Sequence, residues 1–368
     1  MRNLSVDLKE RGYPIWVGPR LGAEAAICDT LRAAVDGRRC LLVTDAHVAP
    51  LHLAAATALL TRCGAGRLAT HTIPAGESSK TLATVETLYS AALAAGLDRR
   101  SVAVALGGGV VGDLTGFFAA TWLRGIPVLQ MPTSLLAQVD SSIGGKTGVD
   151  LPAGKNLVGA FHQPLAVVAD LDWLRTLPPR EWRCGMAEVI KYAMIGDAAL
   201  GAFLTAQAAA LERQDPAAVE EMVGRCAAQK AAVVARDELE TRGLRAVLNY
   251  GHTFGHALET LGGYSLFSHG EAVAIGMGMA ADLAVRLQMA PATLPAAQDA
   301  LLRRFGLPWR CPPAPGLAAP AILEAMQHDK KARDGKLRFV VVPEAGRADT
   351  VTVEDRDLLL QVIGGRCD

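Results

Sequence analysis

Residues Ser101–Asp150 read SVAVALGGGVVGDLTGFFAATWLRGIPVLQMPTSLLAQVDSSIGGKTGVD. The apolar run Val102–Leu106 leads straight into Gly107, Gly108 and Gly109, then Gly112, Asp113 and a helical pattern. A buried strand that ends in glycines and opens a helix presents bare backbone N–H groups at a helix N-terminus, a geometry suited to a pyrophosphate. Gly107, Gly109 and Gly112 fit G-x-G-x-x-G. On the local pattern alone, the competing explanation is a turn that merely lets a helix pack closely on a strand. No acidic residue stands at the usual downstream offset to take ribose hydroxyls, because Asp140 is too far on; Asp45, after the run Leu41–Thr44, is the alternative for that role. A second cluster, Asp140–Lys146, mixes Asp, Ser, Gly and Lys, which points to an enzyme that handles phosphate.

Outward from this stretch, the first half alternates short strand-like runs (Cys40–Thr44, Leu68–Ile73, Val102–Leu106, Val128–Met131) with helical segments such as Thr81–Ala95. Such alternation predicts a Rossmann-like α/β domain with a mostly parallel sheet, its ligands beyond the C-terminal strand ends. Asp45, Gly76–Lys80 and Gly107–Asp113 would then share one crevice. After Leu177-Pro178-Pro179 the pattern turns helical, with candidate helices at 184–195, 198–212, 216–238, 244–262 and 270–288. A Pro-rich stretch, Pro308–Pro320, and a strand at Lys336–Val342 follow. The expected organisation is an α/β domain over 1–178 and a mainly α-helical domain over 179–368.

The 368 residues suffice for two domains, and 37 basic and 37 acidic residues cancel. A neutral chain gives no global attraction for nucleic acid or membrane surfaces, so any phosphate attraction is local. The seven cysteines are scattered without a C-x-x-C pair, as in a reducing compartment. The N-terminus carries charges where a signal peptide needs an apolar stretch, and no uncharged apolar run reaches membrane-spanning length. The chain is expected in the cytoplasm.

Several side chains carry candidate chemistry. His252 and His256 are spaced i, i+4, His269 precedes a helix, and Glu188 and Lys191 stand at i, i+3 in an otherwise apolar helix. Two histidines and a carboxylate make a common catalytic zinc set, although a H-x-x-x-H pair also arises from two ordinary helix histidines. Arg124, Lys146, Lys155, Asn156, Lys191, Lys230, Arg245 and Asn249 mostly sit beside glycines or in apolar helices, and Lys191 and Arg245 interrupt apolar patterns most clearly. Lys330 and Lys331 have the setting of a solvated loop.

The segments GGGVVGDLTGF, RGIPVLQMPTSLLAQVDSSIGGKTGVD, GKNLVGAFHQP, LPPREWRCGMAEVIKYA and GLRAVLNYGHTFGHALE together resemble the 3-dehydroquinate synthase family of sugar-phosphate cyclases, in order and over almost the whole chain. The resemblance implies a dehydroquinate-synthase-like fold with NAD and a zinc or cobalt ion. It implies Glu188, His252 and His269 as metal ligands, with His256 near the substrate and not a ligand. It implies NAD contacts from Asp45, Glu77, Lys80, Gly108, Gly109, Val110, Val111, Gly112, Asp113, Thr133, Ser134, Lys146, Lys155, Trp173, Leu174, Arg175 and Thr176. Implied catalytic or substrate residues are Arg124, Asp140, Lys146, Asn156, Lys191, Lys230, Arg245, Asn249, His256 and one or both of Lys330 and Lys331. The implied reaction is a carbon–oxygen lyase reaction on 3-deoxy-D-arabino-heptulosonate 7-phosphate, giving 3-dehydroquinate and phosphate. It proceeds by transient NAD oxidation, phosphate elimination, re-reduction and intramolecular aldol closure. A homodimer is implied too. Thr133-Ser134 stands where many members have Thr-Thr, which keeps the hydroxyl. The alternatives are a sister cyclase acting on sedoheptulose 7-phosphate or an amino analogue, a metal-dependent polyol dehydrogenase of the same fold, or a catalytically inactive phosphate-binding protein.

Overall fold

The structure is a computed structural model that describes residues 1–327 and 337–367. It divides into two compact units, Met1–Pro178 with Pro216–Leu239, and Pro179–Asp215 with Glu240–Asp368.

The first unit is built on a seven-stranded sheet. In chain order its strands are β1 (Arg2–Val6), β2 (Tyr13–Gly18), β3 (Arg39–Asp45), β4 (Arg67–Ile73), β5 (Val102–Gly107) and β6 (Val128–Pro132). A separate antiparallel hairpin, β7 (Lys146–Leu151) and β8 (Gly154–Phe161), comes before the last strand, β9 (Ala166–Asp170). The spatial order is β1-β2-β9-β6-β5-β3-β4, parallel throughout except for β1, which runs against β2.

The strand sequences are apolar because both faces are covered. Cys40 and Leu42 of β3, with Val102, Val104 and Leu106 of β5, pack with α1 (Ala25–Val35) and α2 (Ala54–Arg62). Their alternates Leu41, Val43, Ala103 and Ala105 pack on the other face with α3 (Leu82–Ala95) and α4 (Gly109–Thr121). The period of two thus divides each strand between two cores. The register sets Asp45 of β3 opposite Ile73 of β4, so the loops after β3, β4 and β5 leave the same edge.

In the second unit, α5 (Pro179–Ile195), α6 (Ala198–Ala206) and α7 (Ala208–Glu212) come first. Helix α8 (Pro216–Arg236) returns to the first unit. A 3-10 turn at Leu244–Asn249 then leads to α9 (His252–Leu261) and α10 (His269–Arg286). After α11 (Leu294–Arg304) and α12 (Ala319–Gln327) come the hairpin β10 (Leu337–Glu344)–β11 (Arg347–Val353) and α13 (Arg356–Cys367).

Two expectations change. The 216–239 segment was expected with the second domain, but α8 belongs to the first unit. Its stripe Val219, Met222, Val223, Cys226 and Lys230 is buried. Glu220 pairs with the N-terminal ammonium of Met1 at 2.8 Å, and Glu238 beyond the helix pairs with Arg11 at 2.7 Å. The expected helix 244–262 is broken at Tyr250-Gly251. Gly251 has φ +79°, the left-handed region that favours glycine, and it starts α9 afresh. No helix among the described residues is long and apolar enough to cross a membrane.

Candidate active site

In the first unit, most of the residues expected to bind NAD lie beyond the C-terminal ends of β3, β4, β5, β6 and β9, and Lys155 lies on β8. Gly108 is the N-cap of α4, so the first-turn N–H groups of Gly109, Val110 and Val111 point out of the sheet edge. Asp45 Oδ1 accepts from the backbone N–H groups of His47 and Val48 at 2.8 and 2.9 Å, which shapes the β3 loop. Lys80 Nζ donates to Asp113 Oδ2 at 2.6 Å and to Asn156 Oδ1 at 2.7 Å. Burial opposes the Lys80 charge, but Asp113 and Glu77 outweigh it and hold its pKa above the ordinary lysine value. Lys155 Nζ pairs with Glu77 at 3.2 Å. The Thr133 N–H donates to the Gly107 carbonyl at 2.9 Å, and Ser134 Oγ accepts from the Ala137 N–H at 3.3 Å. Trp173, Leu174, Arg175 and Thr176 lie on the 3-10 turn Leu171–Thr176, with Thr176 Oγ1 2.8 Å from His52 Nε2.

Beside these, Lys230 of α8 donates to the Asp140 carbonyl at 2.6 Å and pairs with its carboxylate. Asn156 has φ +52° and its N–H donates to Asp150 Oδ1 at 2.8 Å, which holds its amide on Lys80. Lys146 is exposed at the start of β7. Arg124 is exposed as well, and it is the second of two consecutive left-handed residues, Leu123 at φ +51° and Arg124 at φ +70°. Strain of that kind in non-glycine residues concentrates at functional sites.

In the second unit, Glu188, His252 and His269 come together, each offering one ligand atom within 4.8 Å of the others. Glu188 and Lys191 lie one turn apart on α5, 2% and 1% exposed. The Lys191 ammonium pairs with Glu188 Oε2, yet neither Glu188 oxygen accepts a hydrogen bond of regular geometry. Glu188 Oε1 lies 3.6 Å from Nε2 of both His252 and His269. Each ring is oriented from behind, His252 Nδ1 by the Tyr250 carbonyl at 3.1 Å and His269 Nδ1 by Glu259 Oε2 at 3.4 Å. Burial disfavours the His269 imidazolium, but the Glu188 and Glu259 carboxylates outweigh it and push its pKa up to about 10. A metal ion binding there must displace that proton.

His269 is the first residue of α10. Ser268 and Glu271 cap the helix reciprocally, and Arg180 of α5 pairs with Glu271 at 2.8 Å. The Gly270 N–H donates to Cys184 Sγ at 3.2 Å; burial pushes that thiol up to about 12, so it stays protonated. Arg245 is buried and Asn249 half-buried on the Leu244–Asn249 turn. His256 lies outside the three-residue group, its ring edge-on to His252 with centroids 5.5 Å apart. Lys330 and Lys331 lie outside the described residues.

The close seam between α9 and α10 brings the two histidine-bearing helices together. A Cβ on Gly276 would lie 2.1 Å from the Gly251 carbonyl oxygen, and one on Gly251 2.7 Å from the Val273 carbonyl oxygen. Gly276→Ala is therefore expected to destabilise the protein by about 2–3 kcal/mol in denaturant unfolding. Gly201→Ala on α6, where the new Cβ would meet only Ala193 at 3.8 Å, is expected to raise stability by about 0.5 kcal/mol. Equal midpoints for the two variants would contradict the seam.

Spacing in the sequence pairs His252 with His256, whereas the structure gathers His252 with Glu188 and His269, as the family resemblance implied. Glu259 was missed altogether. Its signal was there in H-x-x-x-H-x-x-E, positions i, i+4 and i+7 of one helix face.

A parallel α/β unit and a helical unit with a partly buried His–His–Glu cluster together make the fold of the sugar-phosphate cyclases. A solved structure of 2-epi-5-epi-valiolone synthase from Streptomyces hygroscopicus subsp. jinggangensis, with NAD+ and Zn2+ bound, matches at TM-score 0.86 and 28% identity, covering 95% of each chain. A 2-deoxy-scyllo-inosose synthase complexed with carbaglucose-6-phosphate, NAD+ and Co2+ matches at TM-score 0.84 and 26% identity, over 99% of this chain and 100% of that one. The chain belongs to the 3-dehydroquinate synthase family: residues 70–184 match its N-terminal profile and 185–332 its C-terminal profile. The 3-dehydroquinate synthase of Xanthomonas campestris pv. campestris is 48% identical over 99% of this chain and 98% of its own length.

Proposed function

We propose that this chain is an NAD- and metal-dependent carbon–oxygen lyase that converts 3-deoxy-D-arabino-heptulosonate 7-phosphate into 3-dehydroquinate and phosphate. The observation that carries this reading is the convergence of Glu188, His252 and His269 beside the buried Lys191 ammonium. The residues fit a divalent cation. Ligand atoms around a tetrahedral ion with bonds of ~2.1 Å stand about 3.4 Å apart, and here Glu188 Oε1 is 3.6 Å from each Nε2. A carboxylate without regular hydrogen bonds and two rings with Nδ1 already engaged suit zinc or cobalt. When bound, NAD supplies reversible oxidation of a substrate hydroxyl and the metal supplies charge that favours ionised substrate oxygens.

The chain's own residues bind, orient and move protons. Lys191 sets a fixed positive charge next to Glu188, where it holds an anionic group of the substrate. Arg245 offers a planar fork to the substrate carboxylate, with Asn249 four residues on to orient it. His256, half-buried beside His252, is the group that holds or moves a proton at a ring hydroxyl. In the first unit, Asp45, Glu77, Lys80, Gly108–Asp113, Thr133, Ser134, Lys155 and Trp173–Thr176 would hold the dinucleotide, its pyrophosphate at the α4 N-terminus. Arg124, Lys146, Asn156 and Lys230 supply cations and an amide for the sugar phosphate, with Lys230 anchored by Asp140. We take the assembly to be a homodimer and the compartment to be the cytosol, in keeping with seven free cysteines.

The test follows phosphate release from 3-deoxy-D-arabino-heptulosonate 7-phosphate with trace NAD and zinc while recording NADH absorbance. Phosphate in excess of the NAD supplied, with no NADH accumulating, is the expected result. Stoichiometric NADH would instead mean a polyol dehydrogenase. Release from sedoheptulose 7-phosphate alone would assign the chain to a sister cyclase and overturn the carboxylate role of Arg245 and Asn249.

A further inference from the structure

Glu259 lies two helical turns after His252 on α9, so both side chains fall on one face. It is 4% exposed, and a carboxylate that deeply buried must be partnered. His269 is one of its partners, with Oε2 at 3.4 Å from Nδ1. An ionised carboxylate can only accept, so Nδ1 keeps its proton and donates it to Glu259, and the proton that a metal ion displaces is the one on Nε2. That is the nitrogen 3.6 Å from Glu188 Oε1. His252 is oriented in the same sense by other means, from the neutral Tyr250 carbonyl.

The two rings are not equally confined. The His252 side chain is 11% exposed and that of His269 is 33% exposed. Packing therefore holds His252 more firmly, and the orientation of His269 depends more on its hydrogen bond. A carboxylate behind an imidazole also raises the electron-donating power of the far nitrogen.

We propose that Glu259 is a positioning residue: it fixes the tautomer and orientation of His269 and so sets the affinity of the Glu188–His252–His269 cluster for a divalent cation. The inference rests on the metal-site reading above and adds to it a residue that touches neither substrate nor metal.

The experiment uses the full chain stripped of metal. Wild type, Glu259→Gln and Glu259→Ala are titrated with Zn2+ against a chromophoric chelator, and with Co2+ while its visible absorption is recorded. Gln is nearly isosteric and keeps an acceptor oxygen without the charge; Ala removes both. Zn2+ affinity is expected to fall about 10-fold in the Gln variant and about 100-fold in the Ala variant. The Co2+ bands shift in both, while NAD affinity and the unfolding midpoint of the metal-free Gln variant stay at wild-type values. Wild-type Zn2+ affinity and an unchanged Co2+ spectrum in both variants would overturn the role of Glu259 and leave the metal site standing. A wild-type chain that takes up neither ion would overturn the metal-site reading and the inference with it. Parallel loss of metal affinity, NAD affinity and stability in the Gln variant would assign Glu259 to packing and reject its positioning role.

Discussion

His269→Ala is expected to purify folded and able to bind NAD, but without stoichiometric metal and without turnover. The substitution removes one of three converging ligand atoms, and the remaining pair, Glu188 and His252, cannot enclose a cation. Affinity should fall by more than the ~100-fold that follows from disturbing only a ligand's supporting hydrogen bond. The fold should survive because the His269 side chain is one-third exposed and the start of α10 is held independently by Ser268, Glu271 and Arg180. Metal content by atomic absorption, taken with the phosphate-release rate, decides the matter. Full activity with stoichiometric metal would remove His269 from the ligand set.

Lys191→Ala has a different signature. Its ammonium is 1% exposed, is paired with Glu188, and lies 4.7 Å from the centroid of the Tyr192 ring. Loss of a fixed cation where substrate charge must be held should lower kcat by about 10²–10³, with NAD affinity unchanged. Breaking the buried pair leaves Glu188 with the His269 imidazolium as its remaining cation, so the metal-free variant should lose up to about 3 kcal/mol in denaturant unfolding, and added zinc should restore much of it. Lys191→Arg should not rescue turnover, because a planar fork does not replace a compact ammonium. Weakened NAD binding in Lys191→Ala would move this residue to the cofactor.

The central sheet was legible because β3, β5 and β6 are buried on both faces and read as mainly apolar runs, interrupted in β6 only by Gln130. The antiparallel edge strand β1 and the β7–β8 hairpin were not, since most of their residues are only partly buried or exposed and Lys146, Lys155 and Asn156 dilute the pattern. For α8, the 3.6 periodicity gave the buried stripe but not what it would be buried against, and that is a matter of tertiary packing. The break before α9 hangs on one left-handed glycine within a helix-forming stretch.

The site divides in the same way. Glycines that follow a strand are a local signal, so the α4 N-terminus could be located from residues alone. The Glu188–His252–His269 group draws on three segments far apart in sequence; spacing alone paired His252 with His256, and only the family resemblance grouped these three residues. Glu259 went unnoticed because a lone glutamate on a helix is ordinarily a solvated one.

The α9–α10 seam bears on attempts to redesign the enzyme. Backbone meets backbone at Gly251 and Gly276 with no room for a methyl group, so the spacing between the two histidine-bearing helices works as a fixed ruler. On the proposed assignment, new substrate preferences would be engineered around that ruler, by exchanging side chains on the Leu244–Asn249 turn or at His256, while the helices that carry His252 and His269 are left as they are.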